Sequence, residues 1–220
     1  MKIRTQSLYR LPAHKRIFDV ITAAIFILIT SPFIVIVAIM IKLESKGSII
    51  YKSKRVGANQ QIFTLYKFRT MHNGSELLVN KMLHLNVYKN DDKIDTNVAF
   101  VKFKNDCRVT RIGRFLRQTH VDEIPQMVNV IKGEMSIIGN RPLEIYEAEK
   151  LVKRNEVLRF STAAGITGLW QIRQHRRKKL LESERIELDN YYASNQTFFW
   201  DLIIMFETIP VLLFNIFGRR

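Results

Sequence analysis

Residues 17–41 read IFDVITAAIFILITSPFIVIVAIMI, and this apolar run decides how the chain can fold. Asp19 is its only charged residue. At about 1.5 Å per residue, a straight helix over the run is longer than the roughly 30 Å hydrocarbon core of a bilayer. The run is too long for a cleavable signal peptide, and charged sequence resumes at Lys42. It therefore predicts a helix that enters the membrane.

Two features distinguish this segment from an ordinary membrane span. Ser31-Pro32 lies in its middle, where proline removes a backbone hydrogen bond and the adjacent serine hydroxyl can bind the freed carbonyl. Both flanks are basic, although positive charge normally marks the cytoplasmic side. The flanking bases are Lys15, Arg16, Lys42, Lys46, Lys52, Lys54 and Arg55. On these residues, a broken re-entrant helix and a span with a tolerated proline fit about equally well.

The composition of the whole chain favours an anionic partner. Its 220 residues include 35 Lys and Arg against 20 Asp and Glu, a formal net charge of +15. Such a balance is typical of proteins that bind nucleic acid, anionic lipid or a phosphorylated metabolite. A hydrophobic content of 47% argues against a disordered basic tail. The single cysteine, Cys107, excludes an intrachain disulfide, and the five histidines show no zinc-type spacing.

The candidates for chemistry lie in residues 110–142, TRIGRFLRQTHVDEIPQMVNVIKGEMSIIGNRP. The adjacent carboxylates Asp122 and Glu123 stand there among the arginines Arg111, Arg114, Arg117 and Arg141. Arginines hold phosphate oxygens by bidentate hydrogen bonds, which leaves a carboxylate available to bind metal or attack phosphorus. The ordinary alternative is a solvated acidic cap at the start of a helix, and the dipeptide alone favours that alternative.

A helix is expected around or directly after the acidic pair. Thr119 fits a capping pattern, Pro125 fits a later start, and Lys132-Gly133 is a typical end. The predicted apolar stripe consists of Ile124, Met127, Val128 and Ile131. Both acids would then lie off the core face in the first turn, where the helix dipole lowers a carboxyl pKa. The turn that follows at residues 139–142 can point Arg141 back at them.

The remaining patterns predict a small sheet and further helices. Residues 49–55 (IIYKSKR) and 61–68 (QIFTLYKF) predict a β-hairpin, in which period-two alternation places Lys67 and Arg69 on one face. Helices are expected at residues 75–85, at residues 182–192 and, lying in the membrane interface, at residues 198–217. Residues 86–104 are expected to form a loop or weak strand. The small-residue loop at residues 162–168 offers backbone N–H groups to a phosphate.

In this order, the motifs resemble the bacterial sugar transferase family, the monotopic phosphoglycosyl transferases. The resemblance covers nearly the whole chain. The matching motifs are KRIFDV from residue 15, the segment around Ser31-Pro32, YKSKRVG, FTLYKFRTM, KNDCRVTRIGRFLR, VDEIPQMVNVIKGEMSIIGNRP, GITGLWQI and ELDNYY. The chain resembles the small catalytic form of the family, without additional membrane spans ahead of it.

The resemblance implies an enzyme that moves a phosphosugar from a UDP-sugar to polyprenyl (undecaprenyl) phosphate and releases UMP. It implies Mg²⁺ as cofactor and the lipid bilayer as a further partner, with no nucleic acid partner. The implied location is the cytoplasmic face of the bacterial inner membrane, where such transfers begin capsule, exopolysaccharide, O-antigen or glycoprotein glycan synthesis. It indicates neither an oligomeric state nor which sugar is transferred.

The resemblance also assigns roles to residues. Asp122 is implied to attack the β-phosphorus and form an aspartyl-phosphosugar intermediate, while Glu123 helps bind Mg²⁺. Ser31-Pro32 maps onto the break of the family's re-entrant helix, which favours re-entry over a span. Substrate or phosphate contacts are expected from Lys67, Arg69, Arg114, Arg117, Asn140, Arg141, Pro142 and Asp189.

Three positions depart from the family pattern, and none is in the carboxylate pair. Asn140 stands where the family's usual PRP motif begins, which is expected to change how this turn meets uridine or phosphate. Cys107 replaces the proline of NDPRVT, and Ala164 replaces the proline of PGITG. At these two positions the expected consequence is confined to loop rigidity.

These patterns predict an α+β fold that is mostly helical. It comprises a re-entrant membrane helix, a small β-hairpin and amphipathic interfacial helices around a cytosolic catalytic site. The expected divisions are an N-terminal tail at residues 1–14, the membrane helix broken at Ser31-Pro32 at residues 15–43, a cytosolic catalytic domain at residues 44–196 and a C-terminal membrane-associated helix at residues 197–220.

Two alternatives stay open beside the covalent mechanism. One keeps the substrates but lets the lipid phosphate attack directly within a ternary complex. The other is a non-enzymatic basic protein that binds anionic lipid or nucleic acid. The second alternative explains the charge but not the arginines gathered around an acidic pair, since phosphate-binding surfaces usually exclude carboxylates.

Overall fold

The computed structural model describes residues 9–72, 74, 106–176 and 181–217. The helices are α1 (Ala13–Glu44), α2 (Arg111–Thr119), α3 (Gln126–Lys132), α4 (Ile145–Lys153), α5 (Leu169–Arg176), α6 (Glu182–Ser194) and α7 (Phe198–Phe217). The strands are β1 (Ile50–Val56), β2 (Ile62–Phe68), β3 (Ser136–Ile138) and β4 (Gly165–Thr167). The prediction of a mostly helical α+β fold is confirmed for these residues. The expected helix at residues 75–85 and loop at residues 86–104 lie outside them, as does the beginning of the N-terminal tail.

Two small sheets form around the helices. β1 and β2 pair antiparallel, with Tyr51 opposite Lys67, so the predicted hairpin is confirmed. β3 and β4 pair in parallel, a sheet that the sequence patterns did not predict. A Cβ atom on Gly165 would lie 2.1 Å from the Gly139 nitrogen, so the close approach of the two strands requires glycine.

The loop expected to offer N–H groups to a phosphate is therefore largely strand. Gly165 donates its N–H to the Asn140 carbonyl at 2.8 Å, and Gly139 donates to the Thr167 carbonyl at 3.0 Å. Both bonds run between the two segments as part of the sheet. The Gly165 N–H is used in this pairing and cannot also bind a phosphate. The expectation of a phosphate-binding loop at residues 162–168 is therefore wrong for the Gly165 N–H.

Helix α1 continues through Ser31-Pro32, so the expected break is not a loss of helical backbone. Pro32 lacks the N–H that would bind the Leu28 carbonyl, and the Ser31 hydroxyl donates to that carbonyl at 2.8 Å. The predicted role of the serine is confirmed. Among the described helices α1 alone is long and apolar enough to cross a membrane, and only 11% of its most apolar window is buried inside the protein. Low burial distinguishes it from the core helix of a soluble protein.

The two halves of α1 pack against different parts of the same body. Ala23, in the first half, belongs to the main hydrophobic core, which β2, α3, β3, α5, α6 and α7 also build. Val37 and Ile41, in the second half, pack with Phe68 of β2 and Leu116 of α2. Between these contacts lies a stretch of exposed apolar side chains: Ile25, Phe26, Leu28, Ile29, Phe33, Val35 and Ile36.

Reciprocal caps fix the end of α1. The Glu44 carboxylate accepts hydrogen bonds from the backbone N–H groups of Arg111 and Ile112, at the positive end of α2. In return, the Arg69 guanidinium donates to the Ser45 carbonyl at 2.6 Å, just beyond the negative end of α1. Helix α1 is thus joined by charge-assisted bonds to α2 and to the residue that directly follows β2.

A buried ion pair fixes the start of α1. The Lys15 ammonium pairs with the Asp201 carboxylate of α7 and also donates to the Ile138 carbonyl of β3 at 3.2 Å. The Tyr192 hydroxyl of α6 donates to the other carboxylate oxygen of Asp201 at 2.6 Å. Each of these side chains is buried, so the charges depend on one another rather than on water.

We expect Asp201→Ala to lower the free energy of unfolding by roughly 3–5 kcal/mol, because it leaves the Lys15 ammonium buried without a counter-ion. Thermal unfolding in detergent micelles would measure the loss. Replacing both partners, in Lys15→Met/Asp201→Leu, should recover most of it. The exposed Lys52→Ala is the control and should stay within about 0.5 kcal/mol of the parent protein. An Asp201→Ala protein that unfolds with the parent would contradict the structural role of the pair.

Candidate active site

The two predicted catalytic carboxylates lie in a tight turn rather than in an α-helix. Asp122 and Glu123 belong to a 3₁₀ turn (Val121–Glu123) between α2 and α3, and His120 enters the turn with a left-handed φ of 59°. Their residues are only 6% and 9% exposed, so the pair is not a solvated cap. Thr119 is not an N-cap either, because its hydroxyl donates back to the Phe115 carbonyl at 2.9 Å.

Helix α3 follows the alternative start at Pro125, and its buried face differs from the predicted stripe. Gly133 ends it with φ of 83°, as predicted. Val128 and Ile131 are exposed, whereas Gln126, Asn129 and Val130 are buried. The predicted stripe is right for Ile124 and Met127, which are partly buried against the cores, and wrong for Val128 and Ile131. Amphipathic patterning assumes an aqueous outer face, whereas this helix turns polar side chains toward its neighbours.

Strand β2 delivers Lys67 to the carboxylates. Its ammonium nitrogen lies 2.6 Å from Oε1 of Glu123 and 3.4 Å from Oδ2 of Asp122. The side chains of all three residues are largely buried, so water screens these charges only weakly. The structure thus brings the hairpin to the acidic pair and places Lys67, a predicted phosphate contact, beside both carboxylates.

The turn after β3 delivers Arg141. Its guanidinium lies 3.3 Å from the same Glu123 oxygen that Lys67 contacts, and its side chain is 37% exposed. Arg141 therefore has one edge on the carboxylate and another open to a ligand. Five N–H donors in a planar fork suit it to bind phosphate oxygens on the open side.

Burial and charge shift the pKa values of the two carboxyls in opposite directions. Burial raises the pKa of Glu123, but the positive charges of Lys67 and Arg141 outweigh burial and hold it at about 2. At Asp122, burial and the negative charge of Glu123 outweigh Lys67 and Arg117, so the pKa rises above its ordinary value. The expectation of a lowered pKa is wrong for Asp122, because the residue lies in the protein interior rather than at a solvated helix end.

Three further arginines for which phosphate contacts are predicted lie in different parts of the structure. The Arg117 guanidinium donates to the Thr70 hydroxyl at 2.9 Å, and its charge acts on Asp122. Arg114 is exposed and forms no ion pair with either carboxylate among the described residues. Arg69 is buried at the end of α1, where its Nε and Nη1 atoms have no hydrogen-bond partner in the part of the chain that the structure describes. Of the three, Arg117 lowers the pKa of Asp122 through its charge, and none forms an ion pair with either carboxylate among the described residues.

The predicted contacts at Asn140, Pro142 and Asp189 lie inside the protein. The Asn140 amide donates to the carbonyls of Arg159 and Asp189, at 3.0 and 2.9 Å. Asp189 pairs with Arg159 at 3.1 Å, and both side chains are 1% exposed. Pro142 is buried beside them. Asn140 and Asp189 therefore hold the turn of Arg141 in place, and neither contacts the carboxylate pair in the described structure.

Sequence patterns missed Arg159. Its guanidinium donates to the Arg141 carbonyl at 2.8 Å, so it joins the Asp189 ion pair to the residue that contacts Glu123. Arg159 lies in a short 3₁₀ helix (Leu158–Ser161) with no motif or periodicity around it. No local signal marks an arginine that acts through a distant backbone carbonyl.

The carboxylate pair fits a magnesium ion. No cluster of three or more His, Cys, Asp or Glu side chains that could hold a metal occurs in the described ranges. Mg²⁺ does not need one, because it is usually bound by one or two carboxylates together with waters and substrate phosphates. Among the residues that the structure describes, the ion pairs engage only Oδ2 of Asp122 and Oε1 of Glu123, so the second oxygen of each can serve a metal.

Known proteins match the chain over nearly its full length. The bacterial sugar transferase family matches residues 10–215. The exopolysaccharide production protein ExoY of Rhizobium meliloti is 36% identical over 198 residues, which are 90% of this chain and 84% of ExoY.

Two longer relatives carry more specific names. The undecaprenyl-phosphate galactose phosphotransferase of Salmonella typhimurium is 34% identical over 90% of this chain and 40% of that protein. The UDP-glucose:undecaprenyl-phosphate glucose-1-phosphate transferase of Klebsiella pneumoniae is 34% identical over 89% of this chain and 39% of that protein. With a family match over residues 10–215 and relatives aligned along nine tenths of its length, the chain belongs to the bacterial sugar transferase family.

Proposed function

We propose that the protein transfers a phosphosugar from a UDP-sugar to undecaprenyl phosphate, with release of UMP, at the cytoplasmic face of the bacterial inner membrane. The names of the relatives supply the donor and acceptor classes. The observation that carries the proposal is the buried carboxylate pair held by Lys67 and faced by the half-open Arg141. The product would begin an exopolysaccharide or capsule chain, in keeping with the name of ExoY.

The two carboxylates support different roles in this reaction. Glu123 is bound by two cations and has a pKa of about 2, so it stays ionised and is the poorer nucleophile. Asp122 contacts Lys67 only at 3.4 Å and has a raised pKa, which makes it the more basic and more nucleophilic of the two. Asp122 is therefore the proposed nucleophile, and Glu123 the proposed Mg²⁺ ligand.

The proposed reaction has two displacements at one phosphorus atom. An oxygen of ionised Asp122 bonds to the β-phosphorus, and the bond to the bridging oxygen breaks with its electron pair leaving on UMP. An oxygen of undecaprenyl phosphate then bonds to the same phosphorus, and the bond to Asp122 breaks and restores the carboxylate. Arg141 and Lys67 would hold phosphate oxygens through both steps. Bound Mg²⁺ would offset the negative charge of the phosphates.

A covalent intermediate suits the position of the site beside the membrane helix. The soluble donor and the lipid acceptor then need not occupy the site together. UMP can leave before the lipid phosphate enters. In a ternary complex, the buried pair would have to accommodate both substrates at once.

Both ends of α1 support a re-entrant path. Asp19 accepts a hydrogen bond from the Ile137 N–H of β3, and Glu44 accepts one from the Arg111 N–H of α2. A single span would place these ends on opposite sides of a hydrocarbon core about 30 Å thick. Because one domain binds both ends, we propose that α1 dips into the membrane and returns to the cytoplasmic face, with Ser31-Pro32 near its deepest point. The exposed apolar side chains of α7, including Phe199 and Phe206, would lie in the interface.

The intermediate can be trapped. Incubation with a UDP-sugar, without lipid acceptor, should add the mass of one phosphosugar to the protein and release UMP. UDP-galactose and UDP-glucose are the first donors to test. Asp122→Asn should show neither the adduct nor the release of UMP, because an amide is not a nucleophile at phosphorus. The exposed Arg114→Ala serves as the control and should keep the adduct. Turnover that persists in Asp122→Asn without an adduct would instead establish direct transfer.

The rate should depend on the ionisation of Asp122. Burial raises its pKa, so protonation removes the nucleophile on the acid side of the profile at a pH above the ordinary Asp range. Because Lys67 lowers the pKa of Asp122, Lys67→Met should move the acid limb of kcat/KM to higher pH. Lys52→Met, an exposed change on the same hairpin, should leave the limb in place. A limb that moves to lower pH in Lys67→Met would contradict this assignment.

The topology can be tested with cysteine labelling in a Cys107→Ser background. Arg10→Cys and Lys52→Cys lie beyond opposite ends of α1, and both positions are exposed. A membrane-impermeant maleimide should leave both unlabelled in intact spheroplasts and should label both in inside-out vesicles. Leu28→Cys, in the exposed apolar stretch, should resist the reagent from either side. Labelling of the two outer positions from opposite sides would make α1 a span.

A further inference from the structure

The side chain of Asn129, in α3, lies wholly inside the protein and uses both of its polar atoms. Its Oδ1 accepts the Tyr66 N–H at 3.1 Å. Its Nδ2 donates to the Thr64 carbonyl at 2.7 Å and to Oε2 of Glu134 at 2.6 Å. A buried amide is costly unless it is bonded in this way, and removing it would leave the backbone groups of β2 without partners.

These contacts lie along the edge of a strand. Thr64 and Tyr66 are two residues apart in β2, whose other edge pairs with β1. In a parallel pair, one residue of the next strand donates its N–H to a carbonyl and accepts, with its own C=O, the N–H two residues further on. The Asn129 amide makes the same two bonds, so it takes the place of a third strand at one position.

The contact therefore fixes how β2 and α3 lie along one another. Lys67 follows Tyr66 directly, and Glu123 lies two residues before Pro125, the N-cap of α3. Successive residues in a strand are about 3.3 Å apart and point to opposite faces. A slip of one residue would turn Lys67 away from the carboxylates and break its 2.6 Å contact with Glu123.

We propose that Asn129 is a positioning residue that holds Lys67 against Asp122 and Glu123. The structural part of the proposal stands on the hydrogen bonds alone. Its consequence for the reaction rests on the proposed function. Asn129 touches neither carboxylate, so it would act through Lys67 and the register of β2.

The structural part can be tested without measuring transfer. Reductive methylation with formaldehyde and borohydride, followed by mass spectrometry, reports how accessible each lysine amine is. In Asn129→Ala, the methylation rate of Lys67 should rise by about tenfold, since losing a buried hydrogen-bond network corresponds to a factor of this order. Exposed Lys153, on α4, should react at an unchanged rate in every variant and provides the internal standard.

Two further variants separate positioning from loss of stability. Asn129→Asp keeps the shape and the acceptor for Tyr66 but loses the donor to Thr64, so it should also release Lys67 if Asn129→Ala does not fold. Tyr192→Phe loses a buried hydrogen bond to Asp201, remote in sequence from the hairpin, and should leave Lys67 as slow as in the parent protein. The proposal would be overturned if Tyr192→Phe raised the methylation rate of Lys67 equally, or if neither Asn129 variant raised it.

A double-variant cycle tests the link to the reaction. If Asn129 acts through Lys67, then Lys67→Ala/Asn129→Ala should have the same kcat for UMP release as Lys67→Ala alone. Losses that multiply in the double variant would overturn the positioning role. If the parent protein shows no transfer with any donor, the proposed function fails, and the methylation rates still decide the role of Asn129.

Discussion

The contact of Lys67 with two adjacent buried carboxylates is the interaction on which the rest of the structure depends. Two negative charges next to one another in a poorly hydrated turn repel each other, and water is too scarce to screen them. The ammonium group, at 2.6 Å from Glu123 and 3.4 Å from Asp122, offsets this repulsion. Without such a cation, one carboxyl would have to take up a proton or the turn would have to open.

The unequal distances also make the two acids chemically different. Glu123 holds Lys67 more closely and has Arg141 as a second cation, so its charge is compensated twice. Asp122 has the weaker contact and the raised pKa. Two carboxyl groups that are neighbours in sequence are thus separated into a firmly ionised carboxylate and a more basic one. Paired acids in other active sites are separated by environment in the same way.

Bringing Lys67 and the carboxylates together requires elements that are far apart in the chain. Lys67 belongs to the hairpin, the acids to the turn before α3, and Arg141 to the turn after β3. Helix α1 joins them, because its start is fixed to β3 and α7 and its end to α2 and to Arg69, directly after β2. An altered α1 would therefore also disturb the site.

Local patterns predicted the parts of this arrangement that local physics decides. Apolar length predicted α1, alternation predicted the hairpin, and Pro125 with Gly133 bounded α3. The motif of Asp122 and Glu123 identified the carboxylates, and the turn predicted at residues 139–142 does point Arg141 back at them. These features are visible in sequence because each depends on residues within a few positions of one another.

The features that local patterns did not predict depend on distant residues. Arg69 and Asp189, for which phosphate or substrate contacts are predicted, have partners inside the protein: Arg69 caps α1, and Asp189 pairs with buried Arg159. The apolar stripe of α3 was right for Ile124 and Met127 and wrong for Val128 and Ile131, because the neighbours of that helix accept polar side chains. The raised pKa of Asp122 was missed because burial cannot be seen in a dipeptide. A charge in a sequence indicates what a residue can bind, whereas the fold decides which partner it meets.

Asn140 shows how a departure from a family motif can be accommodated. A proline at this position would fix the backbone by its ring but would offer no side-chain donor. Asn140 instead donates to the carbonyls of Arg159 and Asp189, and so ties the turn to two segments that lie apart in the chain. Arg159 in turn binds the carbonyl of Arg141. The guanidinium that faces Glu123 is thus held by hydrogen bonds from behind, so the turn keeps its arginine in place without the ring of the first proline.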